Sequence, residues 1–153
     1  ATIPNTMLLL AGPEEEQILA EVRRICAGYD ERVKSLGFTQ HPENYLAAAD
    51  VLCLPSYREG FGLVIIEAAA PGVPAVASRI YGITDAVEDG KTGLLFPAGD
   101  VAALTQALLN LLEDGDLRRQ MGKAAQLRAL EMFDSRKIIR EMLALYARLL
   151  GRD

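Results

Sequence analysis

Short apolar runs alternate with amphipathic stretches from one end of the chain to the other. Residues 7–11 read MLLLA, a continuous apolar run that predicts a strand buried on both faces. Gly12 and Pro13 then open a helix, with proline at its first position, and Ile18, Leu19, Val22, Ile25 and Cys26 keep one face apolar up to Gly28. Residues 33–38 predict a second strand. His41 and Pro42 begin a helix through Ala49, and residues 51–54 form a third strand ending at Pro55. A polar, glycine-containing loop over 56–62 leads into an apolar helix over 63–70. Residues 75–78 and 94–96 are short strands, separated by a turn-rich stretch with Gly82, Gly90 and Gly93. Asp100 caps a helix carrying Val101, Leu104, Leu108, Leu111 and Leu112. Two more helices follow over 116–132 and 135–150, the last with Ile138, Ile139, Met142, Leu145, Tyr146 and Leu149 in amphipathic register. Strands alternating with helices predict a parallel sheet in a doubly wound α/β domain, with no internal repeat and no low-complexity linker.

Composition narrows the function classes. The 153 residues are 50% hydrophobic and 24% charged, which fits one ordinary domain with a real core. The formal net charge of −5 argues against a general nucleic-acid binder, which needs a basic face. The charge is uneven: residues 116–153 carry nine basic and five acidic side chains (9 − 5 = +4), read as the solvated face of helices. Two cysteines exclude a disulfide scaffold, and Cys26 and Cys53 read as small buried hydrophobes. There is no secretory leader and no apolar run of about 18 residues, so a cytoplasmic location is expected. The chain starts at Ala1 just ahead of a strand, the pattern expected of a fragment of something longer.

In a doubly wound sheet, ligands bind beyond the carboxyl ends of the strands. The segment over 54–67, LPSYREGFGLVIIE, fits that place: a strand, a glycine-bearing turn, then a helix. Gly60 and Gly62 let the backbone approach a ligand and reach positive φ. The helix behind them offers free N–H groups and the positive end of its dipole, a seat for a diphosphate. Glu59 lies in the loop. Glu67 lies one and a half turns into the helix, among Ile65, Ile66 and alanines, where a buried carboxylate would need donors such as ribose or sugar hydroxyls.

Glu59-Gly60-Phe61-Gly62 with Glu67 eight positions on, followed by Ala-Ala-Ala-Pro-Gly72-Val-Pro74-Ala-Val-Ala-Ser78, resembles the donor-binding half of retaining nucleotide-sugar glycosyltransferases of the two-Rossmann-domain (GT-B) type, glycosyl transferases group 1 or family 4. The resemblance extends through Asp89-Gly90-Lys-Thr-Gly93-Leu-Leu-Phe-Pro97-Ala-Gly-Asp100 and covers nearly the whole chain. It implies that Glu59 acts catalytically, hydrogen-bonding the donor sugar near its reacting carbon and stabilising oxocarbenium charge. The N–H groups of Gly60, Phe61 and Gly62 would hold sugar hydroxyls, those of Leu63 and Val64 would face the diphosphate, Glu67 would bind ribose, and the backbone near Phe38 would contact the base. It implies a nucleoside-diphosphate sugar as substrate, no cofactor and no metal.

The family's first strand–helix unit, with a phosphate-clamping arginine and lysine, and its acceptor-binding N-terminal domain have no counterpart in this sequence. The chain is therefore expected to supply half a site and to be inactive alone. In the order 3-2-1-4-5-6 that strand would lie between 7–11 and 51–54, whose edges would pair directly, be filled by a second copy, or be completed by further chain, and self-association is expected. The stretch 78–87 resembles members that build bacterial surface or capsular polysaccharide on lipid-linked acceptors, which places the parent at the inner face of the membrane. The alternative function is a non-catalytic nucleotide-sugar-binding module that regulates or scaffolds.

Other motifs read as structural. Asp114-Gly115-Asp116 joins two helices, with Gly115 as terminator and Asp116 as N-cap rather than a metal ligand. Gly90-Lys91-Thr92 lacks the first glycine of a triphosphate loop, since Asp85 stands there. Gly60-x-Gly62 lacks the third glycine of the dinucleotide fingerprint, since Ile65 stands there. His41 reads as a capping or surface residue, and Ser56-x-x-Glu59 has the spacing of a helix-start box, the structural rival for Glu59.

Overall fold

A computed structural model describes residues 3–13 and 16–151. The chain divides into two compact units, 1–45 and 46–153.

In the first unit, β1 (Leu8–Ala11) pairs in parallel with β2 (Val33–Gly37) across α1 (Glu16–Ile25). The helix expected to open at Pro13 is described from Glu16, because residues 14 and 15 lie outside the described residues. Strand β1 is not buried on both faces: Met7 is 56% and Leu8 45% exposed. The strand is held by its parallel ladder to β2 and not by burial on both faces. The helix α2 (Pro42–Ala48) crosses into the second unit and buries Leu46 there.

The second unit is built on a parallel three-stranded sheet in the order β3 (Leu52–Leu54), β4 (Ala75–Ser78), β5 (Gly93–Phe96). Each unit thus has its own parallel sheet, β1–β2 in the first and β3–β4–β5 in the second. The alternation of β4 sorts the core. Ala75 and Ala77 face Ile65, Ile83, Ala86 and Val87, whereas Val76 faces Phe96, Ala107, Leu111 and Met121. Small residues on the first face bring α3 (Leu63–Ala69) close to the sheet. The stretch read as turns contains one further short helix, α4 (Ile83–Ala86), which buries Ile83 and Ala86.

Helix α3 ends in a Schellman turn: Gly72, at φ +91°, donates to Ala69 O and Val73 donates to Ala68 O. Helix α5 (Val101–Glu113) starts as expected, with Asp100 Oδ1 accepting from Ala103 N at 2.9 Å. Helix α6 (Gly115–Met132) corrects the reading of the Asp114 turn. Asp114, not Asp116, is the cap, accepting from the amides of Asp116 and Leu117, while Gly115 is the first helical residue and not a terminator. Helix α7 (Ser135–Leu149) has no buried residue, so its apolar stripe is exposed. Cys26 and Cys53 are half-buried rather than buried, and burial pushes the Cys53 thiol up.

The Asp89-Gly90-Lys91-Thr92-Gly93 segment is structural. Thr92 Oγ1 accepts from Glu88 N at 2.9 Å, Asp89 Oδ1 accepts from Leu95 N at 2.8 Å, and Asp89 is ion-paired with Arg79. Partial burial raises the Asp89 pKa, but the Arg79 guanidinium and the amides of Leu95 and Gly90 outweigh it and hold the carboxyl below its usual range. A depressed folded-state pKa stabilises the fold above the unfolded-state pKa and loses that stabilisation as pH falls through the folded value. Asp89→Asn is therefore expected to lower the unfolding free energy at neutral pH, with the deficit narrowing below about pH 4. Urea titrations of both proteins across that range check it; a deficit independent of pH would remove the ion pair from the account.

Candidate functional site

The site residues read from the sequence fall mainly on one loop and one helix. Strand β3 ends at Leu54, Pro55 stops it, and the chain crosses beyond the carboxyl edge of the sheet before α3 begins at Leu63. Gly62 precedes the helix at φ +70°, ψ +52°, and no side chain caps it. A Cβ at Gly62 would come within 3.1 Å of Ile65 Cδ1 and 3.6 Å of Ile83 Cγ1, so both conformation and space demand glycine here. Ile65 N already donates to Gly62 O, which leaves the amides of Leu63 and Val64 ahead of the first bond of the turn.

Glu59 is half-buried, and its Oε1 accepts a hydrogen bond from Ser56 Oγ at 2.9 Å. This overturns the helix-start reading of Ser56-x-x-Glu59. A capping serine would accept from a backbone amide of the helix, whereas Ser56 donates to the carboxylate and α3 begins seven residues later. Ser56 thus orients Glu59. Its spacing was visible in the sequence, but its direction of donation was not.

Gly60 is corrected in one respect: it does not adopt positive φ, and a Cβ on it would meet nothing within 4 Å. Its constraint comes from outside the loop. At Gly82, φ is +87°, and a Cβ there would lie 2.5 Å from Gly60 O and 2.8 Å from Glu59 O. The turn before α4 therefore rests its backbone directly on the backbone of the Glu59 loop. Gly82 read as one glycine of a turn-rich stretch, and only a tertiary approach reveals this role.

Glu67 is exposed and makes no hydrogen bond or ion pair among the described residues, contrary to the expected burial. The helical period explains it. Ile65, Ala68 and Ala69 take the buried face, which leaves Leu63, Glu67 and Ala70 on the outer one. Phe61 is half-buried, its ring edge-on to Phe133 with centroids 5.4 Å apart. Phe38, 78% exposed, follows Gly37 at φ +62° and belongs to the first unit. His41 is a surface residue, with Nδ1 3.1 Å from Glu43 Oε1. Among the described residues no group of three or more His, Cys, Asp and Glu side chains could hold a metal ion, and no helix is long and apolar enough to cross a membrane.

A parallel α/β sheet with a glycine-bound carboxylate loop beyond its carboxyl edge defines a Rossmann-like ligand-binding domain. The chain belongs to the glycosyl transferases group 1 family, whose model matches residues 1–128. It is 35% identical over 147 residues to the N-acetyl-alpha-D-glucosaminyl L-malate synthase of Bacillus anthracis, covering 96% of this chain and 38% of that protein. Among solved structures it superposes on the sucrose-phosphate synthase of Thermosynechococcus elongatus with a TM-score of 0.84 at 34% identity, over 99% of this chain and 40% of that one. Anabaena HepE in complex with UDP gives 0.87 at 28% identity, over 95% and 42%; the same protein has been solved with UDP-glucose. The architecture is that of the C-terminal Rossmann-like domains of GT-B glycosyltransferases. The chain spans about two-fifths of the length of these relatives.

Proposed function

We propose that this chain is the donor-binding half of a retaining glycosyltransferase that moves a sugar from a nucleoside diphosphate to an acceptor hydroxyl. The observation that carries the reading is the Ser56–Glu59 hydrogen bond, which holds a carboxylate in the loop that opens onto the uncapped start of α3. A carboxylate and free amides placed in succession suit a ligand with hydroxyls at one end and phosphates beside them. Glu59 takes the sugar near its reacting carbon and stabilises the positive charge that develops there. The amides of Gly60, Phe61 and Gly62 take sugar hydroxyls, and those of Leu63 and Val64 face the diphosphate. Glu67, exposed and without a protein partner among the described residues, takes the ribose. Backbone dipoles at the diphosphate make a metal unnecessary in this scheme.

The complexes of HepE with UDP and with UDP-glucose support a nucleotide-sugar donor for this chain as well. The parent enzyme acts on a saccharide or lipid-linked acceptor in surface-polysaccharide synthesis, and the isolated chain self-associates through its exposed apolar surfaces. The test is a thermal-shift panel of nucleotide sugars against the chain. A ligand bound only by the folded state adds about 2.7 kcal/mol at a hundredfold excess over Kd. Stabilisation by at least one nucleoside diphosphate sugar is expected; none by any member of the panel would sink the reading.

A further inference from the structure

Arg128, on α6, was assigned no role by the sequence, and its surroundings differ from those of a surface arginine. Its Nη2 donates to the backbone oxygen of Asp85, in α4, at 2.9 Å. Its Nε is buried and has no hydrogen-bond partner. Its Cζ lies 5.7 Å from the centroid of the Phe133 ring, a cation–π distance. Phe133 meets the ring of Phe61 edge-on at an interplanar angle of 66°. No carboxylate pairs with Arg128 among the described residues. An arginine that leaves Nε unsatisfied in a buried place is held there by its other contacts.

Those contacts converge on one loop from two sides. Helix α4 begins directly after Gly82, whose backbone abuts the carbonyls of Glu59 and Gly60. Phe133 bears on Phe61, the next residue of the same loop. One guanidinium therefore ties together both supports of the loop over 59–62. We propose that Arg128 is a positioning residue that clamps α4 and Phe133 around this loop and so fixes the backbone that receives the sugar; the sugar-binding consequence rests on the donor reading above, whereas the clamp does not. A planar guanidinium can donate in its plane to Asp85 O while its face meets the Phe133 ring. A lysine ammonium cannot do both.

The test compares wild type with Arg128→Met, Arg128→Lys, Phe133→Leu and the Arg128→Met, Phe133→Leu double variant by site-resolved amide hydrogen exchange, and titrates UDP and UDP-glucose by calorimetry. Exchange at Gly60, Phe61 and Gly62 is expected to quicken about tenfold in all three single variants while the amides of α5 hold their rates. The Arg128→Met and Phe133→Leu effects should not add, because both break one clamp. The Kd for UDP-glucose should rise about fivefold, with that for UDP nearly unchanged, since the loop contacts the sugar and not the nucleotide. Unchanged loop exchange, or a uniform rise throughout the unit, overturns the clamp. Faster loop exchange with an unchanged UDP-glucose to UDP ratio in a wild type that binds both overturns the positioning role. If wild type binds neither ligand, the titration uses the nucleotide sugar and nucleotide that stabilise the chain in the panel; if none does, the donor reading falls and the exchange data still decide the clamp.

Discussion

Alanine at position 82 is expected to weaken nucleotide-sugar binding by at least about tenfold while the chain remains folded. Two costs coincide at this residue. Gly82 sits at φ +87°, ψ −50°, a sparsely populated conformation in which an L side chain costs about 1–3 kcal/mol. The added Cβ would also lie 2.5 Å from Gly60 O and 2.8 Å from Glu59 O, and both are backbone atoms that cannot swing aside. The loop, the turn or both must move, which adds about 1–3 kcal/mol of overpacking. Because Glu59 and Gly60 are among the displaced residues, much of that cost appears as lost binding. Gly90→Ala is the control. Gly90 also has a positive φ, +75°, but a Cβ there would meet nothing within 4 Å, so it tests a side chain at positive φ without the collision. Calorimetric titration of UDP-glucose, with melting temperatures for each variant, separates the two. Equal losses in Gly82→Ala and Gly90→Ala would show that the turn does not hold the loop.

The sequence was most informative where a local rule coincided with the tertiary one. The run over 51–54, the glycine loop and the apolar helix after it stand where the pattern puts them, because β3 and α3 are packed by the same residues that give them their periodicity. Asp100 caps α5 for the same reason: the cap is satisfied by an amide three residues away. Long-range effects were not legible. Burial of residues 7–11 was inferred from apolarity alone, but burial depends on neighbours that a run of leucines does not specify. The apolar flanks of Glu67 suggest burial, but the helical period sets it on the opposite face from Ile65 and Ala68. At Asp114-Gly115-Asp116 a helix end and a helix start share one turn, and either aspartate satisfies the sequence rule. Only the bonds from the amides of Asp116 and Leu117 decide for Asp114. Gly82 abuts Gly60 across 22 positions of sequence, and Arg128 meets Phe133, itself on Phe61, across 67 positions from that loop, beyond any local pattern.

In a full-length enzyme carrying this chain, the two glutamates are expected to fail differently. Glu59 is held by Ser56 in the loop and, in the proposed scheme, meets charge that exists only in the transition state. Its replacement by glutamine keeps the shape but removes the negative charge, so kcat should fall by about a hundredfold or more with little change in donor KM. Glu67 lies exposed on the outer face of α3 and would grip ribose hydroxyls equally in ground and transition states. Removing such uniform binding raises KM and leaves kcat alone. A hydrogen bond to a charged group contributes about 1.5–3 kcal/mol, so Glu67→Gln should raise donor KM by about tenfold or more. Ser56→Ala supplies the internal check. It leaves both carboxylates in place but frees Glu59 to rotate, so it should resemble Glu59→Gln in kind, with kcat lowered by about tenfold and KM held. Steady-state kinetics with the donor varied at saturating acceptor read all three. A Ser56→Ala enzyme that loses KM rather than kcat, or Glu59 and Glu67 variants with exchanged patterns, would move the reacting carbon away from Glu59.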